Sequence, residues 1–503
     1  MDSIQADVVI IGSGVGGSAV AHRLVGSGAR VLMLERGDFL PNEPQNSDAR
    51  AVFGEQRYKT RDTWFDARGA AFRPGQYYHV GGHTKFYGTA MFRFRESDFA
   101  ATAIDGMTSP AWPIGYGDLA PFYAEAEQLY GVRGAAGIDP TEPPRDAFPH
   151  AAIPHEPVIA RLAEGLAAQG LRPFPMPSAV DYGPGGTCRR CDSCDAFACR
   201  FGAKGDAETR VLRPLLAQGD FRLERRTEVR RLILDDQGRR VVAAEALREG
   251  MPIRVEAPVF VLSAGAINSA LILLRSACDA APAGVANRSG VVGRYLMNHH
   301  LTGLMGIRPL AVNDTRFPKT LAINDFYHGL PGDEGARGNM QMLGNIRGAM
   351  IRPAYPALPG PLADWLGRHS VDVLAMSEDL PDRDSRVRLL PGDRVEVDYR
   401  PGGTAAHDRF VRHLRGVLRR AGFPLVLRHR FGIQAPSHQC GTVRMGHDPA
   451  QSALDGLCRA HDHPNLHVVD GGFLPSSAAL NPALTIAAQA LRVGAHLRAR
   501  RAP

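Results

Sequence analysis

The chain has 503 residues, 44% of them hydrophobic and 22% charged, enough to bury a large core and ordinary for a globular enzyme of two or more lobes. Its 59 basic and 52 acidic residues leave a formal net charge of +7, but no run of five like charges marks a nucleic-acid arm, so nucleic acid is not expected as a partner. No stretch approaches the ~20 apolar residues that span a bilayer. The first apolar run, Val8 to Ile11, passes straight into glycines, too short for a signal segment and without a cationic start, so a cytoplasmic protein is expected.

In chain order, Asp7-Val8-Val9-Ile10-Ile11 predicts a buried parallel strand, followed by Gly12-Ser13-Gly14-Val15-Gly16-Gly17 and then a helix. Gly12 permits the tight turn, Gly14 lets the backbone approach a pyrophosphate, and Gly17 lets helix and strand pack closely, with the phosphates at the positive helix end. A second apolar strand, Val31-Leu32-Met33-Leu34, ends in Glu35, eighteen positions after Gly17, where an acid binds ribose hydroxyls. The fingerprint leaves NAD and FAD unresolved.

Further on, Cys188, Cys191, Cys194 and Cys199 form C-x2-C-x2-C-x4-C. This density suits thiolate ligation of an iron-sulfur cluster or zinc, yet Asp192 and Asp195 fit an exposed loop equally well. The seven cysteines are odd in number and do not form a secreted disulfide framework. The preferred reading is metal-free thiols or a local disulfide, with no metal site. Near residue 300, Arg294-Tyr295-Leu296-Met297-Asn298-His299-His300 precedes Gly- and Pro-interrupted sequence and marks a boundary. Two polar stretches beyond it, Lys319 to Asp325 and Ser377-Glu378-Asp379, offer donors and acceptors for a polyol, against the bland alternative of a solvated surface.

The carboxyl-terminal part holds Ser437-His438-Gln439-Cys440-Gly441-Thr442-Val443-Arg444-Met445-Gly446, then Val468-Val469-Asp470-Gly471-Gly472-Phe473-Leu474-Pro475, then Asn481-Pro482-Ala483-Leu484-Thr485. Together with Val80-Gly81-Gly82-His83-Thr84-Lys85 and Ser263-Ala264-Gly265-Ala266-Ile267-Asn268-Ser269, these segments resemble the glucose-methanol-choline oxidoreductases, in the right order and across nearly the whole chain. The resemblance implies an α/β fold: a Rossmann-like FAD-binding domain from residues 1–100, 205–300 and 431–503, and a discontinuous α+β substrate-binding domain on an antiparallel sheet from 101–204 and 301–430. It resolves the nucleotide as FAD, met by Gly12, Gly14, Gly17, Glu35, Gly81, Gly82, Thr84, Ala264, Gly265, Asp470, Gly471, Pro482 and Thr485. The start of the Asn481–Thr485 helix points its positive end toward the flavin.

Within that resemblance His438 occupies the position of the catalytic base. A neutral imidazole accepts a proton near neutral pH, given a reference pKa of ~6.5. Asn481 takes the second catalytic position and orients the hydroxyl without titrating. Relatives that tether FAD covalently place a histidine four residues after the glycine pair, where this chain has Phe86, so non-covalent FAD is expected. His83, Lys85 and Tyr87 follow the same glycines as candidates to reach ring or substrate. The expected reaction is oxidation of a secondary sugar or glycoside hydroxyl, at C2 or C3, with oxygen or a quinone-type acceptor as electron partner. The alternatives are a dehydrogenase for another alcohol or aminosugar passing electrons to a redox partner and, last, a flavin-binding subunit without chemistry.

Overall fold

The computed structural model describes residues 2–435 and 438–500; Ser437, the first residue of the histidine motif, lies outside them. The apolar runs read as buried strands are the centre of a five-stranded parallel sheet. Its order is Phe221–Glu224, Val31–Leu34, Val8–Ile11, Val259–Leu262, Leu466–Val468. Every residue of Val8–Ile11 and Val31–Leu34 is buried, which is why those strands are apolar throughout instead of alternating. The helices Val15–Leu24 and Ala266–Arg275 each leave the carboxyl end of a central strand, and Ala483–Ala499 packs along the first of them.

A six-stranded antiparallel sheet lies beside it, ordered Phe174–Pro175, Leu321–Ile323, Asn339–Met342, Ser370–Ser377, His300–Ile307, Leu425–Arg430. Alternation sorts its two faces. Val371, Val373 and Ala375 pack with Phe410, Val411 and Leu414 of the helix Thr404–Arg420, while Leu374 and Met376 pack with Leu301 on the other face. A further sheet pairs Asp2–Gln5 in parallel with Met251–Glu256 and continues through Val241–Arg248 to Thr227–Leu234. Among the described residues no helix is long and apolar enough to cross a membrane.

Candidate active site

A single long cavity of about 770 Å³ runs from the carboxyl end of the parallel sheet to the inner face of the antiparallel one. At its first end, Gly12 holds φ of 100°, and a Cβ there would sit 2.2 Å from the Ser263 carbonyl oxygen. A Cβ on Gly17 would meet the Gly12 carbonyl oxygen at 2.2 Å, so helix and turn touch at that point, behind the cavity wall. Gly14 differs: nothing lies within 4 Å of its Cβ direction, and it lines the cavity. Glu35 also lines it. Its carboxylate accepts from the Ser13 hydroxyl at 2.5 Å and from the N–H groups of Ser13 at 3.1 Å and Gly37 at 2.8 Å. Burial pushes its pKa up, and the three donors pull against that shift.

Gly82 and Thr84 line the cavity next, a Cβ on Gly82 falling 3.0 Å from the Gly14 Cα. Gly81 stands just behind, its N–H donating to the Ser13 hydroxyl at 3.1 Å. The Thr84 hydroxyl donates to the Gly81 carbonyl at 2.5 Å and accepts from the Ala207 N–H at 3.0 Å.

Three helix starts converge on this space. Gly14 and Val15 begin one, Gly265 and Ala266 the second, Pro482 and Ala483 the third, and all six residues line the cavity. Each brings the N–H groups of its first turn and the positive end of its dipole, an arrangement suited to anionic and electron-rich ligands. Asp470 ties two segments together, accepting from the Gly472 N–H at 2.8 Å, the Gly265 N–H at 3.0 Å and the Ser269 hydroxyl. Burial pushes its pKa up to about 6. Ala264 and Gly471 lie on the same wall, whereas Thr485 sits one turn deeper, sharing a hydrogen bond with the Tyr123 hydroxyl at 2.8 Å.

At the other end the antiparallel bridge between Met297 and Cys440 brings residues 299 and 438 opposite each other. The His299 and His438 rings meet edge to face with centroids 4.8 Å apart. His438 holds φ of 59°, a left-handed conformation that costs energy outside glycine and concentrates at functional sites. Asn481 Nδ2 contacts its Nε2 at 3.4 Å, a long contact that a substrate hydroxyl can replace. The Gln341 side-chain amide donates to Asn481 Oδ1 at 2.9 Å and fixes which face of Asn481 meets the imidazole. Burial first, and the Lys319 charge second, hold the His438 pKa down to about 4, so the ring is neutral at pH 7.

His83 and Tyr87 line the cavity, with His83 Nε2 3.1 Å from Gln76 Oε1 and the Tyr87 hydroxyl donating to the Gly205 carbonyl at 2.8 Å. Lys85 turns away into an ion pair with Asp206 and Glu208. Phe86 stacks on Tyr77 with centroids 4.1 Å apart. All four clustered cysteines are free, and among the described residues no three His, Cys, Asp or Glu side chains are disposed to hold a metal ion. Of the polar stretches, Lys319 reaches the cavity. Glu378 and Asp379 lie outside the cavity: Asp379 is buried and Glu378 half-buried, each is pushed to about 7 by burial, and they bond to Ser109 and to Asn298, Tyr399 and Gly402. Gln341, Gln76 and the pairing of Asp195 with Lys319 carried no sequence signal, since each comes from a segment remote from its partner, while Gln439 and His299 stood within noted stretches without a role.

A dinucleotide cradle opening onto a neutral buried histidine and a carboxamide defines a nucleotide-dependent redox enzyme. The sequence matches the GMC oxidoreductase family over residues 149–301 and 426–490. It is 34% identical to paromamine 6'-oxidase of Streptomyces fradiae, over 97% of this chain and 90% of that protein. It is also 34% identical to 6'''-hydroxyparomomycin C oxidase of Streptomyces lividus, over 99% and 92%. In fold it is similar to the crystal structure of pyridoxine 4-oxidase from Mesorbium loti, with a TM-score of 0.68 at 21% identity over 97% and 98% of the two chains. The chain belongs to the GMC oxidoreductase family and is an FAD-dependent alcohol oxidoreductase. The open space at Gly14 and the three converging helix starts fit that cofactor.

Proposed function

We propose that this enzyme oxidises a hydroxyl of a sugar or glycoside, with His438 as the base and Asn481 as the residue that orients the hydroxyl. The observation that carries this reading is the contact of Asn481 with His438 at the end of the cavity where Gln76, Gln341, Gln439 and Lys319 also gather, a wall of donors and acceptors suited to a polyol. The names of the two Streptomyces relatives support the substrate class.

FAD is held, in this reading, by Gly12, Gly14, Glu35, Gly82, Thr84, Ala264, Gly265, Asp470, Gly471 and Pro482, with Gly17, Gly81 and Thr485 supporting that wall from behind, and without a covalent tether. It supplies a two-electron acceptor that takes the carbon-bound hydrogen with its electron pair as C–O becomes C=O. His438 accepts the hydroxyl proton at Nε2, which its low pKa leaves unprotonated. Asn481, itself fixed by Gln341, aims the hydroxyl at that nitrogen. The cofactor-binding lobe comprises residues 1–100, 205–300 and 431–503, and the substrate lobe the remainder. Electrons pass on to oxygen or a quinone-type acceptor.

The reading places oxidation at a ring hydroxyl, C2 or C3. The 6' and 6''' positions in the relatives' names favour a second reading, oxidation at an exocyclic carbon. Anaerobic stopped-flow mixing of the yellow holoenzyme with monosaccharides, O- and C-glycosides, aryl alcohols and choline tests both. Sugars are expected to bleach the flavin; product NMR then separates a ring ketone from an aldehyde. Bleaching by choline or aryl alcohols alone would reject the sugar reading.

A further inference from the structure

The proton transfer to His438 leaves one buried charge of the cavity without a task. Lys319 is 3% exposed, on the segment that leads into the Leu321–Ile323 strand. Its ammonium donates to the Met342 carbonyl at 3.1 Å and pairs with Asp195 Oδ1 at 3.1 Å. The other Asp195 oxygen accepts from the Gly344 N–H at 2.5 Å. An ammonium carries three N–H donors, and these two acceptors engage two of them. Lys319, Asp195, His438 and Asn481 all line the same cavity.

The chain makes room for this pair. A Cβ on Gly88 would fall 1.8 Å from Asp195 Oδ1 and 2.8 Å from Lys319 Nζ, so only glycine admits the two side chains there. The strand Asn339–Met342 serves both groups, since Gln341 positions Asn481 and the next carbonyl, of Met342, holds Lys319. Burying an ion pair costs more desolvation than a surface pair and is weak evidence for stability. A charge kept in a cleft beside a base is better explained by chemistry.

We propose that Lys319 is a catalytic residue that stabilises the negative charge growing on the substrate oxygen as His438 takes its proton. This rests on the alcohol-oxidising reading above. In the step, the O–H bond breaks, its electron pair stays on oxygen, and the proton moves to His438 Nε2; the carbon-bound hydrogen then departs with its pair as already described. A preorganised cation at the developing oxyanion lowers the barrier in a water-poor site. The same charge opposes the imidazolium, so it also sets the base's titration. The titratable groups facing His438 are Lys319, His299 across the ring contact and, behind Lys319, Asp195.

The test uses the holoenzyme carrying Lys319→Met, Lys319→Arg or Asp195→Asn. Lys319→Met is expected to slow anaerobic flavin reduction by the best sugar about 10²–10³-fold, the loss typical of a missing oxyanion donor, with KM moving far less. Its acid limb should move to higher pH, and Lys319→Arg should recover part of the rate. Sodium acetate, titrated into oxidised holoenzyme and followed by flavin absorbance, should bind at least about tenfold more weakly to Lys319→Met, an anion having lost its cation. Should that variant fail to fold, Asp195→Asn keeps Lys319 and removes its counter-charge, so acetate should bind more tightly and the acid limb move down. Parental reduction rates, acid limb and acetate affinity in these variants would overturn the proposal. If no sugar or other alcohol reduces the parent enzyme, the functional reading fails instead, while a loss of acetate affinity in Lys319→Met still supports a cavity-facing cation.

Discussion

The two ends of the cavity are built by different means. The nucleotide end is made largely of backbone: Gly12, Gly14 and Gly17 fall within six residues, Gly12 and Gly17 removing side chains so that a turn, a helix and a strand touch and Gly14 leaving the cavity open. The reactive end is made of side chains from separate stretches of chain, His438, Asn481, Gln341, His299 and Lys319, each aimed by a different element. One end therefore fails through sterics and the fold, the other through chemistry with the fold intact.

That contrast breaks most visibly at Gly12. Gly12→Val forces a branched side chain into φ of 100° and into the Ser263 carbonyl. It is expected to cost more than about 4 kcal/mol, the exceptional end for a point substitution, and to yield protein without flavin. Denaturant unfolding and the ratio of flavin to protein absorbance measure both. His438→Ala should do the opposite, keeping flavin while substrate-driven bleaching slows by about 10²–10⁴-fold, the usual worth of a general base. Parental rates in that variant would move the base elsewhere, to His83 or Tyr87.

Asn481→Ala should cost about tenfold in bleaching rate, roughly one hydrogen bond's worth, and Asn481→His should retain more turnover than Ala. The pH profile of kcat/KM sharpens the picture without mutation. The base works when neutral, and a pKa lowered from 6.5 to about 4 keeps it neutral into acid, so the rate should hold from pH 7 to 5 and fall near 4. An acid limb at 6.5 would mean that the histidine is solvated in the working enzyme. The smallest expected effect is analytical: acid or heat should release all flavin into the supernatant, because Phe86, packed on Tyr77, offers no atom for a tether.

The same contrast explains what the sequence revealed. Apolar runs at Val8–Ile11 and Val31–Leu34 and the glycines between them are local patterns, and two adjacent strands of the parallel sheet and the helix start between them follow directly; the other three strands come from Phe221–Glu224, Val259–Leu262 and Leu466–Val468, remote in sequence. His438 and Asn481 were visible as candidates through the motifs around them, although 43 residues apart. Lys319 stood out only as one polar residue in a stretch that also offered Asn324 and Asp325, both of which bond elsewhere, to Asp139 and Arg172. Asp195 read as a neighbour of cysteines; its role depends on Gly88 and Gly344, more than a hundred residues away on either side. Glu378 and Asp379 misled because a carboxylate in sequence does not disclose whether its strand end is dry.

The helix Val15–Leu24 starts at the nucleotide end, the helix Ala483–Ala499 starts beside Asn481, and the two lie against each other so tightly that a Cβ on Gly494 would meet the Arg23 Cβ at 2.7 Å. They act like the two arms of a calliper riveted along their shafts. The gap between the tips, which a cofactor has to span, is then a property of packing far from either tip. Gly494→Ala, distant from every reacting group, would prise the arms apart and misalign ring and base together.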